Sequence, residues 1–338
     1  MTGFVPPPAV ARALLQLPRP LRAPLLGRRV VVDGQTLDRQ TQLLLWAERR
    51  LALPGLGGGT VEDARARFRR TSVLLAAPTP PHTRAELTVA GRPARAYAPL
   101  GAGRLPGLVY LHGGGWVVGD LESHDAVCAD LAVRAGCRVV AVDYRRAPEH
   151  PFPAAVDDAL AAFLEVVARA DALGLEPTRV GVGGDSAGGN LSAAVALLCR
   201  DRGGPAPRVQ ALLYPSLDQT SAAPSHTLFA RGFLLTEDDI RWFRAHYLAS
   251  PDDARDPRAS PLLAADLRGV APAIVVSAGF DPLRDEATAY AARLRAAGVR
   301  VVERCERDLV HGFLSLAGGI AAARRAVDAL AADLRDAL

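Results

Sequence analysis

Val180-Gly181-Val182-Gly183-Gly184-Asp185-Ser186-Ala187-Gly188-Gly189 joins a short β-branched run, a serine bracketed by glycines and the start of an apolar helix. Val180–Gly183 reads as a strand and Ala187–Cys199 as a helix. The G-x-S-x-G between them is the strand–turn–helix that lifts a serine hydroxyl above a sheet edge on a strained turn. Its flanks must be glycine, because a Cβ there collides with strand or helix. No G-K-[ST] follows, which excludes a phosphate loop. Ser186 is therefore a candidate nucleophile, against the competing reading of a glycine-rich turn without chemistry.

Outward from this stretch, short apolar strands alternate with longer helical runs. Strands are expected at Leu108–Leu111, Arg138–Val142, Val209–Leu213, Ala273–Ala278 and Val299–Arg304. Helices are expected at Asp125–Ala135, Ala154–Asp171, Glu286–Ala297 and Ala321–Leu338. Such alternation indicates an α/β fold with a parallel sheet covered on both faces. Ala85–Val89 and Ala94–Ala98, with Gly91 between, read as a hairpin. Between Tyr214 and Ala271 no strand is expected. Phe233–Leu235 and Ile240–Leu248 read there as a helical excursion, and an insertion this long is more often a cap than a loose loop. Residues 1–82 read as helical: Thr36 is the expected N-cap of a helix reaching Ala52, and Thr60 with Asp63 the capping box of one reaching Arg70. The expected division is an N-terminal helical segment 1–82 contributing to the cap, and a catalytic domain 83–338 with an insertion about 216–270.

A serine needs a base and a place for negative charge. His112-Gly113-Gly114-Gly115-Trp116 follows the Leu108–Leu111 strand, and its glycines let main-chain N–H groups approach a substrate. Gly114 and Gly115, with Ala187 just after the serine, are the candidate oxyanion donors. Of seven histidines, only His311 lies between the last strand and the last helix, the place that the order serine, acid, histidine requires. His124 and His150 are expected in early loops. Asp281 is the first carboxylate beyond the Ala273–Ala278 strand and the candidate acid. Asp285 and Glu286 are rivals that fit the start of the next helix, and Asp308 is a third. Trp116, Phe233, Leu234, Trp242 and Phe243 are candidate pocket residues, with simple cap core as the alternative.

Composition narrows the field. The chain has 338 residues, 49% of them apolar, and a formal net charge of +4 without any block of like charge, so neither a nucleic-acid nor a polybasic membrane surface is expected. All 40 basic residues are arginine, which excludes a lysine Schiff base. Cys128, Cys137, Cys199 and Cys305 form no C-x-x-C pair and read as structural thiols. Met1–Ala9 does not read as a signal peptide, and no apolar run is long enough to span a membrane, so a cytoplasmic protein is the expectation.

Taken together, His112–Trp116, Tyr144–Ala155, Gly184–Gly189, Tyr214-Pro215, Asp281–Asp285 and His311–Phe313 resemble the hormone-sensitive-lipase-like family of α/β-hydrolases. The resemblance covers about residues 85–335. It implies a mostly parallel eight-stranded sheet flanked by helices, a helical cap, and no metal or organic cofactor. It also implies carboxylesterase activity on short- to medium-chain esters. Some relatives pair through the edge strand, so a homodimer through Val299–Arg304 is expected. A non-catalytic ligand-binding member of the fold and an amidase-type hydrolase remain the alternatives. The Tyr144–Ala155 stretch reads as scaffold.

Overall fold

The computed structural model describes residues 8–51 and 53–338. Residues 1–7, which include most of the stretch read for a signal peptide, lie outside the described residues, as does Ala52, the expected helix end. In chain order the elements begin with α1 (Pro8–Leu15), α2 (Arg19–Leu26), β1 (Val31–Val32), β2 (Gln35–Thr36), α3 (Arg39–Arg50) and α4 (Val61–Leu74). Then come β3 (His82–Val89), β4 (Arg92–Pro99), β5 (Leu105–Leu111), α5 (Leu121–Ala135), β6 (Arg138–Val142), α6 (Ala154–Ala168), β7 (Leu175–Asp185) and α7 (Ala187–Asp201). The last third holds β8 (Gln210–Leu213), α8 (Pro224–Leu228), α9 (Glu237–Tyr247), β9 (Ala273–Phe280), α10 (Arg284–Ala296), β10 (Val301–Val310) and α11 (Ala321–Ala337).

Eight strands form one sheet in the order β10-β9-β8-β7-β5-β6-β4-β3. Only β4 runs antiparallel to its neighbours β3 and β6; the other pairs are parallel. Alternate residues of each central strand point to opposite faces. Leu108, Tyr110, Ala211 and Leu213 pack on one face with α5 and α11. Val109, Leu111, Val180 and Val182 pack on the other with α6 and α7. Burial on both faces explains why these strands read as continuous apolar runs.

The strand register prepares the site. Leu111 pairs with Gly184, so the His112 loop and Ser186 leave adjacent strands at one edge. Phe280 pairs with Val310, so Asp281 and His311 are the next residues of two neighbouring strands. Both pairs lie at the carboxyl ends of parallel strands, where open α/β sheets place ligands.

Several expectations are corrected. Thr36 does not cap a helix; it pairs with Val31 in β2. The cap of α3 is Asp38, whose carboxylate accepts the N–H groups of Gln40 and Thr41 at 2.8 and 2.9 Å. Leu37 precedes α3 and is buried with Phe229, Phe280 and Val310. Thr60 does cap α4, accepting from the Asp63 N–H at 3.1 Å, but α4 passes Arg70 and continues to Leu74. Phe233–Leu235 is not helical: α8 ends before it and α9 begins after it at Glu237. α6 stops at Ala168, short of Asp171. His124 lies in the first turns of α5, not in a loop. β10 begins at Val301 and extends to Val310, so His311 follows the strand directly.

Candidate active site

Ser186 sits at φ 55° and ψ −116°, between β7 and α7. A non-glycine residue in this region is strained and is held there by its surroundings. Here those surroundings are two crowded glycines. A Cβ on Gly184 would lie 2.1 Å from the Leu111 carbonyl oxygen, and one on Gly188 only 1.8 Å from it. The turn is thus pressed against the end of β5, and the serine side chain is left partly accessible above it.

His311 bridges the hydroxyl and the carboxylate. Its Nε2 is 2.9 Å from Ser186 Oγ and its Nδ1 is 2.8 Å from Asp281 Oδ2. Asp281 is completely buried, and its second oxygen accepts the Leu283 N–H at 2.9 Å. The imidazole is flanked by the Tyr214 ring, centroid to centroid 4.8 Å. Two of the three rival carboxylates are engaged elsewhere, and none of the three bonds to His311. Asp285 accepts the Ser225 N–H, and Glu286 accepts the N–H groups of Leu217 and Asp218. Asp308 joins the N-terminal segment through its main-chain carbonyl, which accepts the Asp38 N–H.

The glycine turn after β5 faces the same space. Gly114 has φ 116° and Gly115 φ 57°, conformations that side chains resist. A Cβ on Gly115 would also fall 2.2 Å from the Phe243 ring. The N–H groups of Gly114, Gly115 and Ala187 have no protein acceptor among the described residues, and all three residues line the cavity with Ser186 and His311. Neighbouring Gly113 is different: its N–H donates to Asp185 at 3.0 Å.

Asp185 is a functional candidate that sequence reasoning passed over. It accepts from Gly113 N–H, from Tyr110 Oη at 2.8 Å, and faces His124 Nε2 at 3.3 Å. Burial alone would raise this carboxyl, but His124, Tyr110 and the Gly113 N–H outweigh it and hold Asp185 below the usual carboxylate range. The expected scaffold stretch also reaches the turn. Tyr144 donates its hydroxyl to the His112 carbonyl at 2.7 Å and stacks on the His112 ring at 4.2 Å. Ala147 N–H donates to the Trp116 carbonyl at 2.9 Å. Position within G-D-S was the one available signal for Asp185; its partners are 60 to 75 residues away and left no local trace.

The cavity measures about 330 Å³. Ser186 and His311 line it together with Trp116, Leu234 and Phe243, three of the five expected pocket residues. Phe233 and Trp242 do not line it. Phe233 packs against Phe229 and Phe280 at 5.5 and 5.4 Å. Trp242 lies beside Phe243 on α9, but about 100° round the helix, and packs on His246 at 4.2 Å and against Gly57. Leucines of α1 and α3 and Phe68 of α4 complete the wall. Among the described residues no helix is long and apolar enough to cross a membrane.

Comparison with known proteins agrees with this fold. Residues 108–315 match a family model described as α/β-hydrolase fold. The chain is 46% identical to a carboxylic ester hydrolase, LipN, of Mycobacterium tuberculosis, over 96% of this chain and 90% of that one. It is 40% identical to an ethyl acetate hydrolase of Pseudomonas putida, over 75% and 83% of the two chains. An ester hydrolase from a Lake Arreo metagenome, solved with a bipyridine phosphonate derivative, superposes with a TM-score of 0.83 at 39% identity, covering 89% of this chain and 98% of that one. With its motifs, sheet order and relatives in agreement, the chain belongs to the hormone-sensitive-lipase-like family of α/β-hydrolases.

Proposed function

We propose that this ester hydrolase is a serine carboxylesterase that cleaves short- to medium-chain esters through a Ser186–His311–Asp281 triad. The single observation that carries the reading is the His311 ring, within hydrogen-bond reach of Ser186 Oγ and Asp281 together at the floor of an apolar cavity. His311 Nε2 takes the Ser186 proton as Oγ bonds to the ester carbonyl carbon. The carbonyl oxygen becomes an anion facing the N–H groups of Gly114, Gly115 and Ala187. The intermediate collapses by breaking the carbon–alkoxy bond, and the alcohol leaves with the proton from His311. Water then gives a proton to His311 and attacks the acyl carbon, and the acid departs as Ser186 regains its proton. Asp281 keeps the imidazole in the tautomer that presents Nε2 to the serine, and stabilises its cation.

In this reading the described part of residues 1–82 and about 216–270 form the cap over a catalytic domain 83–338, with Trp116, Leu234 and Phe243 against the substrate. A cytoplasmic location goes with it, in keeping with cysteines that stand as free thiols. Two copies pair through β10, which among the described residues has a strand neighbour on one side only. An antiparallel twofold pairing centred on Cys305 sets Glu303 opposite Arg307 and Arg304 opposite Glu306 of the second copy.

A series of 4-nitrophenyl esters from acetate to palmitate tests the activity. Turnover should peak at short to medium chains and fall by about 10⁴-fold or more in Ser186→Ala. Turnover that survives this substitution, or a peak at palmitate, contradicts the proposal. An anilide with the same acyl group should be cleaved far more slowly than the ester; the reverse order indicates an amidase.

A further inference from the structure

The cavity above Ser186 is apolar over most of its wall, and the charged side chains that reach it are mostly committed. Arg67 donates to the carbonyls of Gly55 and Gly57, both at 2.9 Å, and to that of Gly58 at 3.2 Å. Arg244 donates to Gln219 Oε1 and to the Asp218 carbonyl, both at 3.1 Å. Asp185 and His311 are engaged as described above. Glu48 is the exception. It projects from the last turns of α3 into the cavity wall, and its carboxyl has no hydrogen-bond partner among the described residues.

Its surroundings offer no compensation. Asp239, from α9, is the carboxylate whose charge acts on it, and it is spent on the Gly57 N–H at 2.7 Å and on the Thr236 N–H and hydroxyl. Arg67 of α4 is turned to its three carbonyls. Arg49, next along α3, is exposed and opposes the other influences only in part. Burial pushes the Glu48 carboxyl up to about 7, and Asp239 pushes in the same direction. Glu48 is half-buried and its oxygens stay open to the cavity, so the shielding from bulk water is partial, and a carboxyl so placed without a partner is costly to a fold. Polar groups kept in an otherwise apolar ligand cavity serve orientation and selectivity.

We propose that Glu48 is a specificity-determining residue whose carboxyl receives a hydrogen-bond donor, a hydroxyl or a protonated amine, that the ester carries away from its reacting carbonyl. This rests on the esterase reading above and narrows it to a class of esters: those with an apolar body and a polar donor at one end. The expected gain is in kcat/KM for the substituted ester over its plain parent. A site that is built to pair with a substrate donor rejects the analogue that lacks it, because its own polar group is then left unsatisfied.

Matched esters test it. One set comprises 4-nitrophenyl esters of four to eight carbons, each with and without a terminal hydroxyl on the acyl chain. The other comprises butyrates of six- and eight-carbon alcohols that end in methyl, hydroxyl or amine. The readout is the ratio of kcat/KM for substituted ester to parent, in the wild type, Glu48→Gln and Glu48→Leu. In at least one set the wild-type ratio should exceed that of Glu48→Leu by about tenfold or more. With the amine, the wild-type ratio should climb as pH rises through about 7, where Glu48 ionises while the amine stays charged, and Glu48→Gln should lack that climb. Glu48→Gln keeps the shape of the side chain, so it covers the case of a misfolded Glu48→Leu. Ratios that are equal in all three proteins across both sets overturn the assignment of Glu48 and leave the esterase reading standing. Absence of wild-type turnover on every parent ester overturns the esterase reading, and this inference with it.

Discussion

At Ser186 the backbone is held in a conformation that costs about 1–3 kcal/mol in isolation, and the cost is met by packing of the turn against β5. The contact is so close that neither Gly184 nor Gly188 has room for a methyl group. These glycines were legible in the sequence because the requirement is local and steric. Asp185, between the same glycine and the serine, was not. It fixes the Gly113 N–H of the glycine turn, while the N–H groups of Gly114 and Gly115, which line the cavity, have no protein acceptor among the described residues. Asp185→Asn keeps the shape but loses the charge facing His124. We expect kcat to fall by about tenfold to a hundredfold with little change in KM, since a small displacement of preorganised donors is felt in the transition state more than in binding. Steady-state kinetics on 4-nitrophenyl butyrate check this; a rise in KM alone would refute it.

Between elements, a buried clamp joins α8 to the helix that follows Asp281. His226 lies with Nε2 2.8 Å from Glu286 of α10 and Nδ1 2.9 Å from Glu237 of α9. Both nitrogens must carry protons to satisfy both carboxylates, so the clamp is complete only with a cationic ring. Burial pulls the His226 pKa down, but Glu286 and Glu237 together more than offset this and raise it above 6.5. A raised folded-state value means that the clamp stabilises the protein fully below the unfolded value and loses its contribution as pH climbs through the folded one. The loss of melting temperature in His226→Gln should therefore be larger at about pH 6 than at about pH 9. Equal losses at both pH values would show that the charge does not matter. Several of the element boundaries that sequence reading misjudged lie in the same region and in the N-terminal segment. Phe233–Leu235 has helix-compatible residues, yet Phe233 is drawn into a cluster with Phe229 and Phe280 and the backbone stays irregular. Thr36 is a good cap by type, but pairing with Val31 leaves the capping position to Asp38.

For the whole molecule, the open edge of β10 is the feature on which the proposed pairing depends. Sedimentation should give about twice the 35.6 kDa chain mass, and Arg307→Glu, which sets like charges opposite one another across the proposed twofold, should shift the species to monomer. A wild type that sediments as monomer at every concentration contradicts the pairing. The amino-acid sequence by itself determined the alternation of strands and helices, the serine elbow, the glycine turn and the chain order of the proposed nucleophile, acid and base. Each of these is written in neighbouring residues, through side-chain periodicity or the absence of a Cβ, and so needs no knowledge of distant chain. Only the tertiary structure decided that His311, 125 positions from Ser186, meets Asp281 and not Asp285 or Asp308. It alone sorted Leu234 and Phe243 to the cavity and Phe233 and Trp242 away from it. It alone brought Glu48 of the N-terminal segment into that cavity without a partner. Strand order and helix rotation set these distances and directions, and both are fixed by packing among residues that lie far apart along the chain.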